Sequence, residues 1–484
     1  MTRTFLGRGL GAVLAAALLV PAALPRPALA WEPATTHAGL AEQAALASRL
    51  HKRLVSLGFS GGLFEPLTIP PADAPTLIAA LKLLSPTHGA VPDARGRQAA
   101  LGWLAAGAAL ADVPAAHGAN HFFDPLTGRG WEAPDRSVTA RLGDAVREAL
   151  GRAELPARGV PAPDWITARD NPFNLAAFAS QYGKAVSAAT PGERSRHMAA
   201  ALVAAGAILH TLGDLGVPSR VRGDELAHFE SLGGGPDDLG SRFERIAALA
   251  HGRLGVPGPS RVITRTRLRD YFTSKDGGGL ADLISRSYFS PNTLPAPSRT
   301  GGGEKPVLAR PAPTLPARLN LMAASRDGGS VLRDAAGTCL ARYRVEHNVL
   351  AFALDDECML EQVDAILPEV VAYEAGLLDF LLRGELEIAV SGEIVVTGKG
   401  LGAGGIELYV EDERGVRAKL TSAAVAAVGT APTASSVPAS GAAGAEQLVR
   451  VAAPSTGTRV VALYRGVDAS GEPLIAVGAM PLTR

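Results

Sequence analysis

The sequence predicts a mainly α fold, with a helical domain over residues 31–384 followed by a small C-terminal β-sandwich over 385–484. Three observations lead there. Before residue 384, apolar residues recur at three- and four-residue steps around 202–214 and over 360–383, and 97–114 reads as a further helix of small residues, the pattern of packed helices. After it the period falls to two, as in ELEIAV at 385–390, which is the spacing of half-buried strands. These later segments are separated by Gly, Pro and Ser clusters that turn a chain back on itself.

The first thirty residues carry basic Arg3 and Arg8, an apolar run over 10–24, and Ala28-Leu29-Ala30. That pattern is a secretory signal peptide with an A-x-A site, so cleavage after Ala30 is expected to leave Trp31 as the mature N-terminus. No later run is read as reaching the ~18 apolar residues of a membrane span. The expected product is exported, secreted or periplasmic, with no transmembrane segment. Forty-seven basic residues balance forty-seven acidic ones, which argues against a broad electrostatic nucleic-acid surface. In an exported chain, the two cysteines, Cys339 and Cys358, read most simply as one disulfide.

In chain order, Thr35 or Thr36 is placed to cap a helix with apolar Leu40, Ala44 and Leu54. His37 falls in its first turn. It is either a surface residue or a third donor beside the amine and carbonyl of a free Trp31. The stretch 97–114 reads as a small-residue helix ending near Asp112, and Asn120-His121-Phe122-Phe123-Asp124-Pro125 follows a short link. Taken singly, Asp112 is a turn residue and His121 a core histidine. The stretch 204–224, AAGAILHTLGDLGVPSRVRGD, reads as an amphipathic helix that Pro218 ends or closely follows. His210 and Asp214 are four apart and share a face. They form either a plain hydrogen-bonded pair or metal ligands presented into a bundle. Residues 277–294 read as a helix and turn, and Pro- and Gly-rich 295–316 as a surface loop. In 360–383, Pro368 predicts a kink or a break, and Gly384 a stop. The β region is expected to form strands at 385–390, 406–410, 447–451, 459–463 and 474–477, with a low-complexity loop at 431–444.

Taken together, the mature Trp31, His37, Asp112, HFFDP at 121–125, LHTLGD at 209–214 and Pro218 resemble the zinc-dependent phospholipase C and S1/P1 nuclease superfamily. The resemblance covers roughly residues 31–384. It implies a helical fold of that type with a zinc cluster at the base of a cleft. Asp112, His121, His210 and Asp214 match the ligands of one metal, and Trp31, His37 and the shared Asp214 those of a second. Asp124 is implied to orient His121 from behind. At the third metal the chain departs from the family. Arg220 stands where a histidine is expected, Gly240 where another is, and Glu244 keeps the place of the carboxylate. Two zinc sites are therefore expected, with the third left open.

Arg220 cannot ligate a metal, but it can pair with Glu244 through its planar guanidinium. The expectation is an Arg220–Glu244 ion pair where the third zinc would sit, with Arg220 also clamping a phosphate. The alternative is that His228, with Asp224 or Glu244, rebuilds a displaced third site. The functional expectation is an exported phosphodiester hydrolase using metal-activated water, phospholipase C-like in the wording of HFFDP and LHTLGD, with Asp112 as a further general base. Its partner is then a phospholipid or other phosphodiester, met in transient contact with a membrane surface. The alternatives are an S1/P1-like nuclease, whose partner would be nucleic acid, and a weakened relative that keeps metal for structure.

Overall fold

The computed structural model describes residues 33–72, 74–84, 92–133, 156–229, 241–300, 319–425 and 446–482. Trp31, Gly240, the expected loop at 431–444 and residues 301–316 of the expected surface loop lie outside the described residues, as does the expected signal segment. The architecture is a helical body followed by a β-sandwich.

The body is organised around helix α6, Pro191–Gly213. Its N-terminus is closed by a capping box, in which Thr190 Oγ1 accepts from the Glu193 N–H and Glu193 Oε2 from the Thr190 N–H. The expected amphipathic character is absent over its second half. Every residue from Ala201 to Gly213 is buried, so α6 is a central helix with no solvent face. With the turn that extends it to Gly216, it is long and apolar enough to cross a membrane by length and composition. However, 94% of that apolar window is buried inside the protein. This corrects the expectation that no later stretch is apolar enough: residues 198–209 are continuously apolar, and the helix passes on mean hydropathy although His210, Thr211 and Asp214 follow.

Helix α4, Ala100–Leu110, lies against α6 at very close range. A Cβ on Gly107 would come 2.0 Å from the Val203 carbonyl oxygen, and one on Gly206 2.0 Å from that of Leu104. The two glycines therefore let the backbones touch. The three residues before α4 form a strand, β2 (Arg97–Ala99), paired antiparallel with β1 (Pro66–Thr68), where a helical start was expected. The N-terminal helix is likewise divided. A single π-type turn, Pro33–His37, leads into α1 (Ala38–Ala47), and α2 (Leu50–Ser56) follows after a break. Neither Thr35 nor Thr36 caps α1, whose N-cap is His37 without a side-chain bond. The break is stabilised at Ser48, whose Oγ accepts from the Leu50 N–H at 3.2 Å. Helix α3 (Pro75–Leu84) precedes α4, α5 (Leu175–Ser187) packs on α6, and α7 (Arg242–Ala250) and α8 (Leu280–Ser287) follow.

The last helix, α9, runs Asp356–Leu381 without interruption through Pro368. An interior proline costs ~3 kcal/mol, but α9 buries Val363, Ile366, Leu367, Val370 and Val371 around it. Each such side chain contributes roughly 1.5–3 kcal/mol, so packing outweighs the break. Before α9 lies a four-stranded sheet in the order β3 (Ser298–Arg299), β6 (Val349–Ala353), β5 (Cys339–Glu346), β4 (Ser330–Arg333). A disulfide joins Cys339 at the start of β5 to Cys358 in the first turn of α9.

Beyond Gly384, which has a φ of +98° that suits glycine, the strands β7–β13 are Leu386–Ser391, Glu393–Gly398, Leu401–Glu411, Arg417–Val425, Glu446–Ala452, Arg459–Asp468 and Pro473–Pro481. They form sheets β10-β9-β12-β13 and β11-β8-β7 around a second core. In β12, Val460, Ala462 and Tyr464 enter that core, whereas Val461 and Leu463 enter the helical one. Burial on both faces explains why 459–463 reads as a continuous apolar run. Arg417 joins the regions: its N–H donates to the Ala189 carbonyl at 2.8 Å, its Nη2 to that of Leu57 at 3.2 Å.

Candidate metal centre

Three separate segments converge at the C-terminal ends of α4 and α6. Asp112 follows α4, His121 closes the 3-10 segment Ala115–His121, and His210 and Asp214 stand one turn apart at the end of α6. Their ligand atoms all lie within 4.8 Å of one another, and all four residues are buried. The α4–α6 contact sets Asp112 against His210. The Phe123 N–H, donating to the Arg220 carbonyl at 3.0 Å, ties the His121 segment to the turn after α6.

His210 is oriented from behind. Its Nδ1 lies 2.7 Å from the Ala108 carbonyl, which can only accept, so Nδ1 carries a hydrogen. Nε2 then faces Asp112 Oδ2 at 3.3 Å and Asp214 Oδ2 at 3.2 Å. His121 Nδ1 sits 2.8 Å from Asp214 Oδ2 and 3.1 Å from Asp112 Oδ1. Both Asp112 oxygens, His210 Nε2 and His121 Nε2 are buried without a hydrogen-bond partner. Buried polar atoms are rarely left so, and two imidazoles with two carboxylates are a donor set that suits zinc and similar ions. The four residues form a group that can hold a metal ion.

The electrostatics agree. Burial opposes the charged form of His210, but Asp112 and Asp214 outweigh it and raise its pKa to about 10. Asp112 is held well below the usual range against its own burial, by His210 and His121. Asp214 is lowered likewise against burial, chiefly by Arg220 and His210. The pocket therefore favours a cation among its carboxylates, and a metal bound there competes with the proton.

His37 extends the group. Its Nε2 lies 3.1 Å from Asp214 Oδ1 and its ring stacks on His210 with centroids 3.5 Å apart. Burial and the neighbouring His210 lower its pKa to about 4, which keeps the ring neutral, as ligation requires. The Asp124 carboxylate accepts from the Leu126 N–H at 3.0 Å and from Thr127 Oγ1 at 3.1 Å within its own turn.

Arg220 and Glu244 do pair. The Arg220 Nε donates to Glu244 Oε1 at 2.9 Å, the guanidinium carbon lies 4.5 Å from the centre of the Phe122 ring, and Nη1 lies 3.5 Å from Asp214 Oδ2. One cation serves two carboxylates, so Glu244 remains under-compensated. Burial and Asp214 outweigh Arg220 and push its pKa up to about 7. His228 makes T-shaped ring contacts with Phe122, centroids 5.8 Å apart, and with Trp131 at 5.7 Å. Burial, then Arg220, lowers its pKa to about 3. It does not join the four grouped residues.

Sequence reading missed Glu374 on α9. It is buried, and both its carboxylate oxygens lack a partner. The available signal was one acid inside the apolar run VVAYEAGLL.

No protein-family model and no curated protein sequence matches the chain. Among solved structures, an alpha toxin from Clostridium absonum is similar at 13% identity, with 94% of this chain and 96% of that one covered and a TM-score of 0.29. An alpha-toxin from an avian strain of Clostridium perfringens is similar at 10% identity, with 94% and 100% covered and a TM-score of 0.30. Likeness at these values assigns neither activity nor ligand.

Proposed function

We propose that the chain is an exported, zinc-dependent phosphodiester hydrolase of the phospholipase C/P1 nuclease type, acting on a phospholipid. Its helical domain spans 31–384 and its β-sandwich 385–484. The observation that carries this reading is the convergence of Asp112, His121, His210 and Asp214, from the three motifs on which the sequence resemblance rests. One ion would be held by these four, and a second by His37, Asp214 and the mature N-terminus at Trp31. Bound there, zinc supplies Lewis acidity toward water and toward phosphoryl oxygens.

The chain's own groups do the rest. Asp112 has two oxygens free of hydrogen bonds, so one can ligate while the other takes the proton of an attacking water. Arg220 is held by Glu244 through Nε and by the Phe122 face, and its buried Nη1 lies 3.5 Å from Asp214 Oδ2. A guanidinium fixed in this way would stabilise negative charge developing on a phosphoryl oxygen without reorganising. The zero net charge favours a lipid over a nucleic acid.

A second reading, a relative that holds metal without turnover, draws on the complete burial of all four grouped side chains. Hydrolysis of phosphatidylcholine, single-stranded DNA and a chromogenic phosphodiester by the mature protein separates these readings, with His210→Ala as control. Lipid turnover lost in that variant supports the proposal. Turnover of DNA alone indicates the nuclease, and none at all with metal bound indicates the inert relative.

A further inference from the structure

Helix α9 places a carboxylate behind the metal centre that the chemistry above does not use. Glu374 is 1% exposed, and among the described residues neither Oε1 nor Oε2 has a hydrogen-bond partner. Gly213 defines its surroundings. A Cβ on that glycine would lie 2.5 Å from Glu374 Oε1 and 3.5 Å from both Nδ1 and Cε1 of His37. The missing side chain thus leaves a gap with the carboxylate on one side and the imidazole edge on the other. His37 Nδ1 is also buried without a partner, while Nε2 lies 3.1 Å from Asp214 Oδ1. A hydrogen on Nε2 would go to the acceptor-only Asp214 carboxylate, whereas an imidazole whose Nε2 lone pair goes to an ion carries its hydrogen on Nδ1. That N–H needs an acceptor in a dry interior.

We propose that Glu374 is a positioning residue. Its carboxylate takes the Nδ1–H of His37, directly or through one water in the gap at Gly213, and so holds Nε2 toward Asp214 as a ligand of the second ion. The inference rests on the reading that His37 and Asp214 hold that ion. His210 has the equivalent support from the neutral Ala108 carbonyl. An acceptor in that place fixes which ring nitrogen carries the hydrogen, so the two histidines are held by different groups behind them.

The test is zinc affinity, measured by competition with a chelator on the full mature protein, together with ¹⁵N resonances of the His37 ring. Glu374→Gln keeps the shape and an acceptor oxygen but removes the charge, and Glu374→Leu removes the acceptor. Wild type should bind two ions. Glu374→Gln should keep one at wild-type affinity and weaken the other by ~10–100-fold, the usual cost of losing such a partner. Glu374→Leu should weaken it further and shift His37 away from the Nδ1–H form. In a His37→Ala background, Glu374→Gln should cost nothing more. Two ions bound at unchanged affinity in Glu374→Gln would overturn the assignment, as would an equal further loss in the His37→Ala background. If Glu374→Leu does not fold, Glu374→Gln alone decides. A wild-type chain that binds only one ion would overturn the underlying two-ion reading as well, which separates the two failures.

Discussion

Arg220 donates through Nε to Glu244 Oε1 at 2.9 Å, with both side chains almost fully buried. A buried charge pair adds little net stability over apolar residues of the same shape, yet losing one partner is costly because the other is left uncompensated. Arg220→Ala should therefore destabilise the protein by about 3–5 kcal/mol. The double variant Arg220→Leu/Glu244→Leu should recover the part of that loss that comes from Glu244, but not the part from Asp214, which also faces Arg220. Urea unfolding of the three proteins checks this. A single variant as stable as wild type would mean that the pair does not compensate a buried carboxylate.

The second prediction concerns the helix contact that sets Asp112 beside His210. Gly107→Ala or Gly206→Ala puts a methyl group 2.0 Å from a carbonyl oxygen of the facing helix. Overpacking of this kind costs about 1–3 kcal/mol, and here it also forces α4 and α6 apart. Both variants should lower the melting temperature and weaken zinc binding together. Reduced stability with wild-type zinc affinity would show that the helix spacing does not set the ligand geometry.

Much of the centre was legible because its residues sit in compact motifs with fixed local geometry. The step of four between His210 and Asp214 needs only a helix. The Arg220–Glu244 pair followed from charge logic, since a buried carboxylate needs a counterion. Other features depend on tertiary contacts that no local pattern carries. Glu374 becomes notable only when α9 packs beside Gly213, more than a hundred residues earlier in the chain. The sheet of β3–β6 combines short strands with one, β5, whose alternation of Ala341, Tyr343 and Val345 with Arg342, Arg344 and Glu346 was a signal not read, and β8 and β10 were likewise not expected. Pro368 argued for a break because local propensity cannot weigh the burial on either side of it.

The third prediction is a pH dependence. His228 has a folded pKa lowered to about 3, by burial first and then by Arg220. The unfolded chain binds its proton near the ordinary value of ~6.5, so between these pH values the unfolded state holds more protons. The contribution of His228 to stability is full above pH ~6.5 and falls as the pH drops toward 3. His228→Gln should therefore flatten the acid side of the stability profile, by an amount on the order of a few kcal/mol between pH 7 and 4. Parallel profiles for variant and wild type would contradict a buried neutral ring.

A fourth concerns processing. If Trp31 ligates through its α-amine, a residue retained before it converts that amine to an amide and removes a donor. Protein beginning Met-Trp31 should bind one zinc fewer than protein beginning at Trp31. Equal zinc content in the two would remove Trp31 from the ligand set.

The most direct measurement is the zinc content per chain of correctly processed protein, wild type beside His210→Ala and Asp214→Asn. His210 serves one ion in this account and Asp214 bridges both, while Arg220 and Glu244 close the third position. The account predicts two zinc ions in wild type, one in His210→Ala, and weakened binding of both in Asp214→Asn. Three tightly held ions in wild type, or full zinc content in Asp214→Asn, would contradict it.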